Sequence, residues 1–300
     1  AKGNHPMTTS ASEWFRTEWI GGVNHIYQNE GFMLRKTCTE GKMTSASKGY
    51  FRFAGKGTAT KMKQGGVPGD VVPMNAGRTK IDVDIENYQA AEWIHEIDLD
   101  KMDIDERQAA QRTAAMALGR KHDSVIMAAV DTFNGAGAGG GLHGTAIGAY
   151  NAAWTIQKMQ EVARALSQRD VPADARAYCC VPATAWQQAM SYQQFSNSQW
   201  TDEKTLDSGA KAKFWNKIHW FEGYEELFPT DGANGRRFYA WHESAVGQVN
   251  NKELNSRITY ENIKTAWLAN NWMGMNGRCL QGGPTGGIIE CRVDNTSAIA

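Results

Sequence analysis

Several short stretches of this chain hold residues whose types and spacing could do chemistry, and each can be held against the geometry that chemistry needs. Gly135, Gly137 and Gly140 match GxGxxG. That pattern works when a strand feeds a tight glycine turn into a helix N-terminus facing a pyrophosphate. Here the glycines follow a helical pattern and lie in the seven-residue run GAGAGGG, which predicts a flexible hinge. No GK[ST] sequence is present, so no phosphate-cradling loop is expected either. Asp98, Asp100, Asp103 and Asp105 open like a calcium loop, but the fifth position is Met102 and the sixth, which needs Gly, is Asp103. Capping of a following helix accounts for them better. His242-Glu243 begins like a zinc-protease helix, yet the fifth position is Val246, so two imidazoles never share a face.

Cys38, Cys179, Cys180, Cys279 and Cys291 are odd in number and hold no CxxC or CxxH spacing, so neither a zinc site nor a disulfide framework is expected. The adjacent pair Cys179 and Cys180 falls in an apolar run, where successive side chains point to opposite faces of a strand; buried, reduced thiols and a reducing compartment follow. Seven histidines are scattered singly, and no GxSxG turn presents a nucleophile. The reading is therefore of a chain without catalytic, cofactor or metal residues.

The elements around these stretches are more informative. Residues 103–133 predict one helix, with Asp103 and Glu106 as a capping-box start and Ala110, Ala114, Leu118, Val125, Ala129 and Phe133 recurring near helical spacing. A second amphipathic helix is expected at 150–168, a strand at 176–181, and a short helix opened by Pro182. Strands are expected near 217–221 and 237–241, with a last one at 286–293 after the Gly282–Pro284 turn. The stretch 257–279 is ambiguous between strand and helix. Residues 54–80 are rich in Gly and Pro, carry five Lys or Arg, and are flanked by strand-like runs at 50–53 and 81–85, which predicts a long two-stranded hairpin. The first 35 residues mix isolated aromatics with Gly and polar residues and read as an arm that borrows its packing. Residues 192–210 read as a polar surface loop.

The 300 residues balance 32 Lys+Arg against 32 Asp+Glu. Residues 1–80 nevertheless hold 12 basic and 5 acidic residues, whereas residues 81–106 hold one Lys and 10 acids. Such segregation suits either two solvated faces or a basic segment of one copy meeting an acidic segment of another. The longest apolar run, Val125 to Val130, is far below the roughly 18 residues needed to cross a bilayer, and no basic-then-apolar leader opens the chain, so secretion and membrane contact are not expected. Ala1 suits removal of an initiator Met or a processed pro-segment equally. Eleven Trp, nine Tyr and ten Phe are a large aromatic load, and those in the arm and loops favour partner surfaces.

In order, these elements are an arm, a basic glycine-rich hairpin, an acidic strand, a long helix, a Gly linker, an α/β region and a returning C-terminal strand. Together with DERQAAQRTAAMALGRKHDSVIMAAV (105–130), ALSQRDVPADARAYCCVPATAWQQAM (165–190) and WHESAVGQV (241–249), the chain resembles the major capsid protein of tailed bacteriophages, most closely the podovirus branch. None of these strings is a catalytic signature; the resemblance rests on extent and order from about residue 40 on. It implies an α+β, Hong Kong 97-like fold with an N-terminal arm (1–35), a peripheral domain (36–147) with extended loop 54–80 and spine helix 103–133, an axial domain (148–255), and return strands to the peripheral domain (256–300).

The resemblance further implies hexamers and pentamers closing as an icosahedral shell around double-stranded DNA, assembled in the host bacterial cytoplasm. Portal and scaffolding proteins are implied partners, with decoration proteins a further option, and DNA contact is weak and non-specific. Cofactors are not implied. The loop cations Lys56, Lys61, Lys63, Arg78 and Lys80 would face acids of a neighbouring copy, with Asp82, Asp84, Glu92, Glu96, Asp98 and Asp100 as candidates. Some relatives join a loop Lys to an Asn covalently, but no pair can be chosen here. An encapsulin-like compartment is the alternative of the same fold, and a soluble α/β enzyme with an unrecognised site is the alternative of another class.

Overall fold

The computed structural model describes residues 28–43, 48–61, 71, 73–74, 76–99, 106–132, 143–172, 174, 176–196, 211–231 and 234–296. The chain runs through β1 (Thr39–Lys42), β2 (Lys48–Ala54), β3 (Arg78–Asp84), β4 (Glu86–His95) and the one-turn helix α1 (Glu96–Leu99) to the long helix α2 (Glu106–Asp131). Then come β5 (Ile147–Gly148), α3 (Ile156–Gln168), β6 (Ala177–Val181), α4 (Ala183–Met190), α5 (Gln193–Ser196), β7 (Ala212–Trp215), β8 (Ile218–Glu222), β9 (Thr230–Asp231) and β10 (Gly235–His242). β11 (Val246–Glu261), β12 (Ala266–Cys279) and β13 (Ile288–Asp294) finish it. A four-stranded sheet has the order β1-β11-β12-β4, and a larger one runs β5-β13-β10-β6-β8-β7 with β9 on β10. β2 and β3 pair only with each other.

The ambiguous stretch 257–279 is the end of β11 and the whole of β12, folded back on it by a turn at 262–265 in which Thr265 takes a positive φ of 47°. Burial alternates from Leu268 to Met273, but the inward Asn271 and the glycines Gly274 and Gly277 interrupt the apolar pattern that would have marked a strand. The second helix starts at Ile156 rather than 150, because Trp154 N–H is drawn off by Gln188 Oε1 at 2.6 Å and Thr155 is already extended. Within residues 256–300, β12 pairs with β4, whereas β13 lies between β5 and β10 of the larger sheet. That interior place suits a strand whose residues Ile288, Ile289, Glu290 and Cys291 are all buried. The glycine run at 135–141 and residues 100–105 of the acidic stretch lie outside the described residues, as does most of the expected arm.

α2 is about 39 Å long at 1.5 Å per residue. Its first half buries one stripe, Ala110, Ala114 and Leu118, against the four-stranded sheet. From His122 to Asp131 only Ser124 and Ala128 are exposed, because the helix here passes between the two sheets. The small side chains let it come close: a Cβ on Gly277 of β12 would stand 3.2 Å from Ala129 Cβ. On the larger sheet, Phe238, Tyr239, Ala240 and Trp241 of β10 are all fully buried. Both faces of β6 are covered as well, so Cys179 and Cys180 are each inaccessible although they point opposite ways, and burial pushes both thiols up.

Two buried carboxylates of α2 fix its neighbours. Asp123 accepts the backbone N–H groups of Met33 (3.1 Å) and Leu34 (3.0 Å), which holds residues 28–34 across the helix. Arg120 adds bonds to Gln28 Oε1 (2.9 Å) and the Asn29 carbonyl (3.1 Å). At this crossing the two backbones touch: Gly31 has φ +78°, and a Cβ on Gly119 would overlap the Glu30 carbonyl. Asp131, at the other end, accepts from the Tyr239 hydroxyl and lies 3.6 Å from Arg237 Nη2. Burial and the adjacent carboxylate push the Tyr239 hydroxyl far up, so it keeps the proton it donates.

His143 joins the end of α2 to the turn before β13. Its Nε2–H donates to the Val130 carbonyl (2.7 Å), while Nδ1 accepts from Gly283 N–H (3.2 Å). Arg169, capping α3, donates to the carbonyls of His143 (2.7 Å), Gly286 (3.2 Å) and Ile288 (2.6 Å) and closes the same junction. Burial lowers the His143 value below the ordinary 6.5, and a second proton would also break the Gly283 bond.

Two outcomes are expected. Gly119→Ala, which in an isolated helix gains about 1 kcal/mol, should here lower the melting temperature, with a net loss of about 1–3 kcal/mol as in overpacked sites. Because the unfolded chain takes up the His143 proton first, the contribution of this imidazole is complete above about pH 6.5 and is lost as pH falls from there through the lower folded value. Melting temperature should therefore drop more steeply from about pH 7 to about pH 5 in the unaltered chain than in His143→Gln.

Candidate functional site

Strand alternation decides what the hairpin displays. β2 and β3 pair from Lys48 opposite Asp84 to Ala54 opposite Arg78. One face carries Gly49, Phe51, Phe53, Thr79, Ile81 and Val83; the other carries Lys48, Tyr50, Arg52, Arg78, Lys80, Asp82 and Asp84. Among the described residues, the hairpin is buried only at its base. Val83 is 2% exposed, and Phe51 presses on Gly247 of β11 so closely that a Cβ there would stand 2.7 Å from its ring. Residues 55–61 are all exposed, and so are Val71 (90%) and Met74 (62%).

The charges divide along this length. At the base, Lys48 meets Asp84 at 2.9 Å, a bond that raises the Lys48 value. Lys80 lies 3.5 Å from Asp82. Lys56 reaches Asp170, just past α3, at 3.3 Å, with both side chains largely in solvent. Arg78 and Lys61 are exposed, and Lys63 lies outside the described residues. Among the acids, Asp82 and Asp84 stand on the hairpin itself, held by lysines of their own chain. Glu96 accepts from the Tyr260 hydroxyl. Glu92, on β4 opposite Ala269, is exposed and has no ion pair among the described residues. Asp100 and the Asp98 side chain fall outside them.

The structure adds surface residues that sequence reasoning missed. Arg52 alternates with Tyr50 on the exposed face and donates to its hydroxyl at 2.6 Å, with the guanidinium 4.9 Å from the ring centre. The strand alternation at 48–54 was a signal that could have found both. At the far end of the four-stranded sheet, Ile263 is 96% exposed and Lys264 Nζ stands 3.9 Å over the Trp93 ring. On β6, β8 and β7, Tyr178, His219 and Phe214 form a row of rings, with centroids 5.4 Å and 4.5 Å apart. Their meeting depends on strand register, which spacing in the sequence does not reveal.

His242 comes nearest to a catalytic arrangement. Its Nε2 is 2.9 Å from Asp174 Oδ1 and its Nδ1 is 2.8 Å from Ser244 Oγ. The backbone N–H of Ser244 also donates to Nδ1 (3.3 Å), so the imidazole caps the single 3-10 turn Glu243–Ala245 that joins β10 to β11. The hydrogen bond from His242 holds the Asp174 carboxyl below its usual range. The trio is a turn lock, and the residues after His242 never form the helix that a zinc-protease pair requires. No group of His, Cys, Asp or Glu among the described residues could hold a metal ion, all five cysteines are free and buried, and no described helix is long and apolar enough to cross a membrane.

Comparison with known proteins bears on the whole chain. The family model described as phage capsid protein matches residues 11–293. No curated protein matches the sequence. Among solved structures, the capsid of cyanophage P-SCSP1u superposes with a TM-score of 0.70 at 16% identity, covering 94% of each chain. The capsid of cyanophage Pam1 gives 0.72 at 10% identity over 98% of this chain and 100% of the other. The head of Helicobacter pylori bacteriophage KHP40 gives 0.70 at 10% identity over 99% and 100%.

Proposed function

The chain belongs to the phage capsid protein family, and on that premise we propose that it is assembled as hexamers and pentamers into an icosahedral shell around double-stranded DNA. It is a structural protein of the virion capsid, not an enzyme, and its fold is of the Hong Kong 97-like class. The observation that carries the assembly reading is the hairpin, whose described residues have a core contact only at its base and leave Val71 and Met74 in solvent. A segment of that kind gains stability by lying on a neighbouring copy.

In this reading residues 36–147 with α2 are the peripheral domain, residues 148–255 are the axial domain, and residues 1–35 are the arm; of the return strands in 256–300, β12 joins the smaller, peripheral sheet, whereas β13 lies in the larger, axial one. Lys56, Lys61, Lys63, Arg78 and Lys80 face the acidic segment of the next copy. Among its candidates, Glu92 is best placed, since Asp82 and Asp84 already have partners at home. Portal and scaffolding proteins join during assembly in the host cytoplasm. The family match supports a phage shell over an enzyme-storing compartment, and it removes the ground for a soluble enzyme.

Purified protein should elute as capsomers or shells, and a stable monomer at micromolar concentration would count against the proposal. Changing Lys56, Lys61 and Lys63 together to Glu should leave circular dichroism and melting of the subunit unchanged while impairing shells seen by electron microscopy. Each exposed pair is worth only about 0.2–1 kcal/mol, but the loss repeats at every copy and is imitated by high salt. Binding to a short DNA duplex should be weak and indifferent to sequence, because the chain has no net basic excess. Tight sequence-dependent binding would contradict it.

A further inference from the structure

The hairpin contains a pairing that a free subunit has no use for. In an antiparallel pair, directly opposed side chains are about 5 Å apart, and like charges there destabilise the sheet. Arg52 stands directly opposite Lys80, and Arg78 lies on the same face one pair nearer the tip. None of the three is buried, so no packing requirement explains the choice. The two opposed cations both turn toward the base of the hairpin, Arg52 back along its own strand to Tyr50 and Lys80 to Asp82, the residue opposite Tyr50. Beside them opens a groove of about 460 Å³, lined by Arg52, Phe53, Ala54, Arg78, Thr79 and Lys80, with no carboxylate in its wall.

We propose that this groove is a carboxylate-binding site filled by a second copy of the chain, with Glu92 on β4 as the occupant, and that docking relieves the repulsion between Arg52 and Lys80. The inference rests on the shell reading above and names the partner of its hairpin. Complementarity argues for it: residues 81–106 hold 10 acids against one Lys, and Glu92 is the exposed acid of β4 without an ion pair or hydrogen bond among the described residues. Arg52 uses one donor on Tyr50, which leaves its planar fork with N–H groups suited to a carboxylate. The same side chain therefore weakens the free hairpin and strengthens the assembled one.

That opposition of sign is the test. In subunits kept dissociated by dilution, Arg52→Gln should leave the melting temperature equal or raise it, and amide exchange along β2 and β3 should slow. Shells made from the same variant should dissolve at lower salt than unaltered shells. Arg52→Glu alone should abolish shells, and Arg52→Glu combined with Glu92→Arg, which inverts the pair in every copy, should restore them. Shells of Arg52→Gln with unchanged salt resistance, a fall in the subunit's melting temperature, or failure of the double inversion to restore assembly would each overturn the inference while the shell reading stands. If the unaltered chain forms no shells, both are overturned.

Discussion

A carboxylate taken out of water must be met by donors, and helix α2 carries two such groups, Asp123 and Asp131, on its buried half. Everything adjacent is arranged to meet them. Asp123 takes two backbone N–H groups from the incoming chain, and Asp131 takes a tyrosine hydroxyl and the charge of an arginine from β10. Leaving a buried charge without its partner costs about 3–5 kcal/mol. Hydrophobic packing alone would let an alanine-rich helix slide or rotate in its seat. The two acids, eight residues apart and a little over two turns, set both its rotation and its axial position.

From that seat the rest of the subunit divides by how it is held. The larger sheet is enclosed on both faces over most of its strands, by α2 on one side and by α3 and α4 on the other. Among the described residues, the four-stranded sheet is packed by α2 and, at β11, by the base of the hairpin, and the hairpin is buried at that one end. Cohesion thus falls with distance from the buried half of α2. The most loosely held parts also carry the exposed aromatic and charged side chains, which is the distribution expected of a subunit completed by copies of itself.

How much of this could be read from the chain follows from how local each signal is. The α2 stripe of Ala110, Ala114 and Leu118, the alternation of Val83 with its aspartates, and the apolar run of β6 are all patterns within ten residues, and each marked its element. The β11–β12 pair was hidden because Asn270, Asn271, Gly274 and Gly277 break any simple period on a strand covered from one side. Asp123 and Asp131 look like surface residues in an amphipathic helix, and only the arrival of distant donors makes them interior. The Arg52 and Lys80 opposition, the Tyr178, His219 and Phe214 row, and the His242 turn lock all depend on register or on chain meetings across many residues. The family resemblance was readable because it rests on the order of elements, which survives when individual contacts do not.

The five cysteines have a consequence of scale. All are buried, and burial raises every one of their thiols, Cys38 and Cys279 to about 12. A particle built from many copies multiplies whatever its subunit displays, so one accessible thiolate would become an array, free to bridge neighbouring particles or to trap a half-built lattice in the wrong arrangement. With none on display, that route of thiol bridging is closed. The same holds in air as under reducing conditions, because no thiol is exposed to change its state.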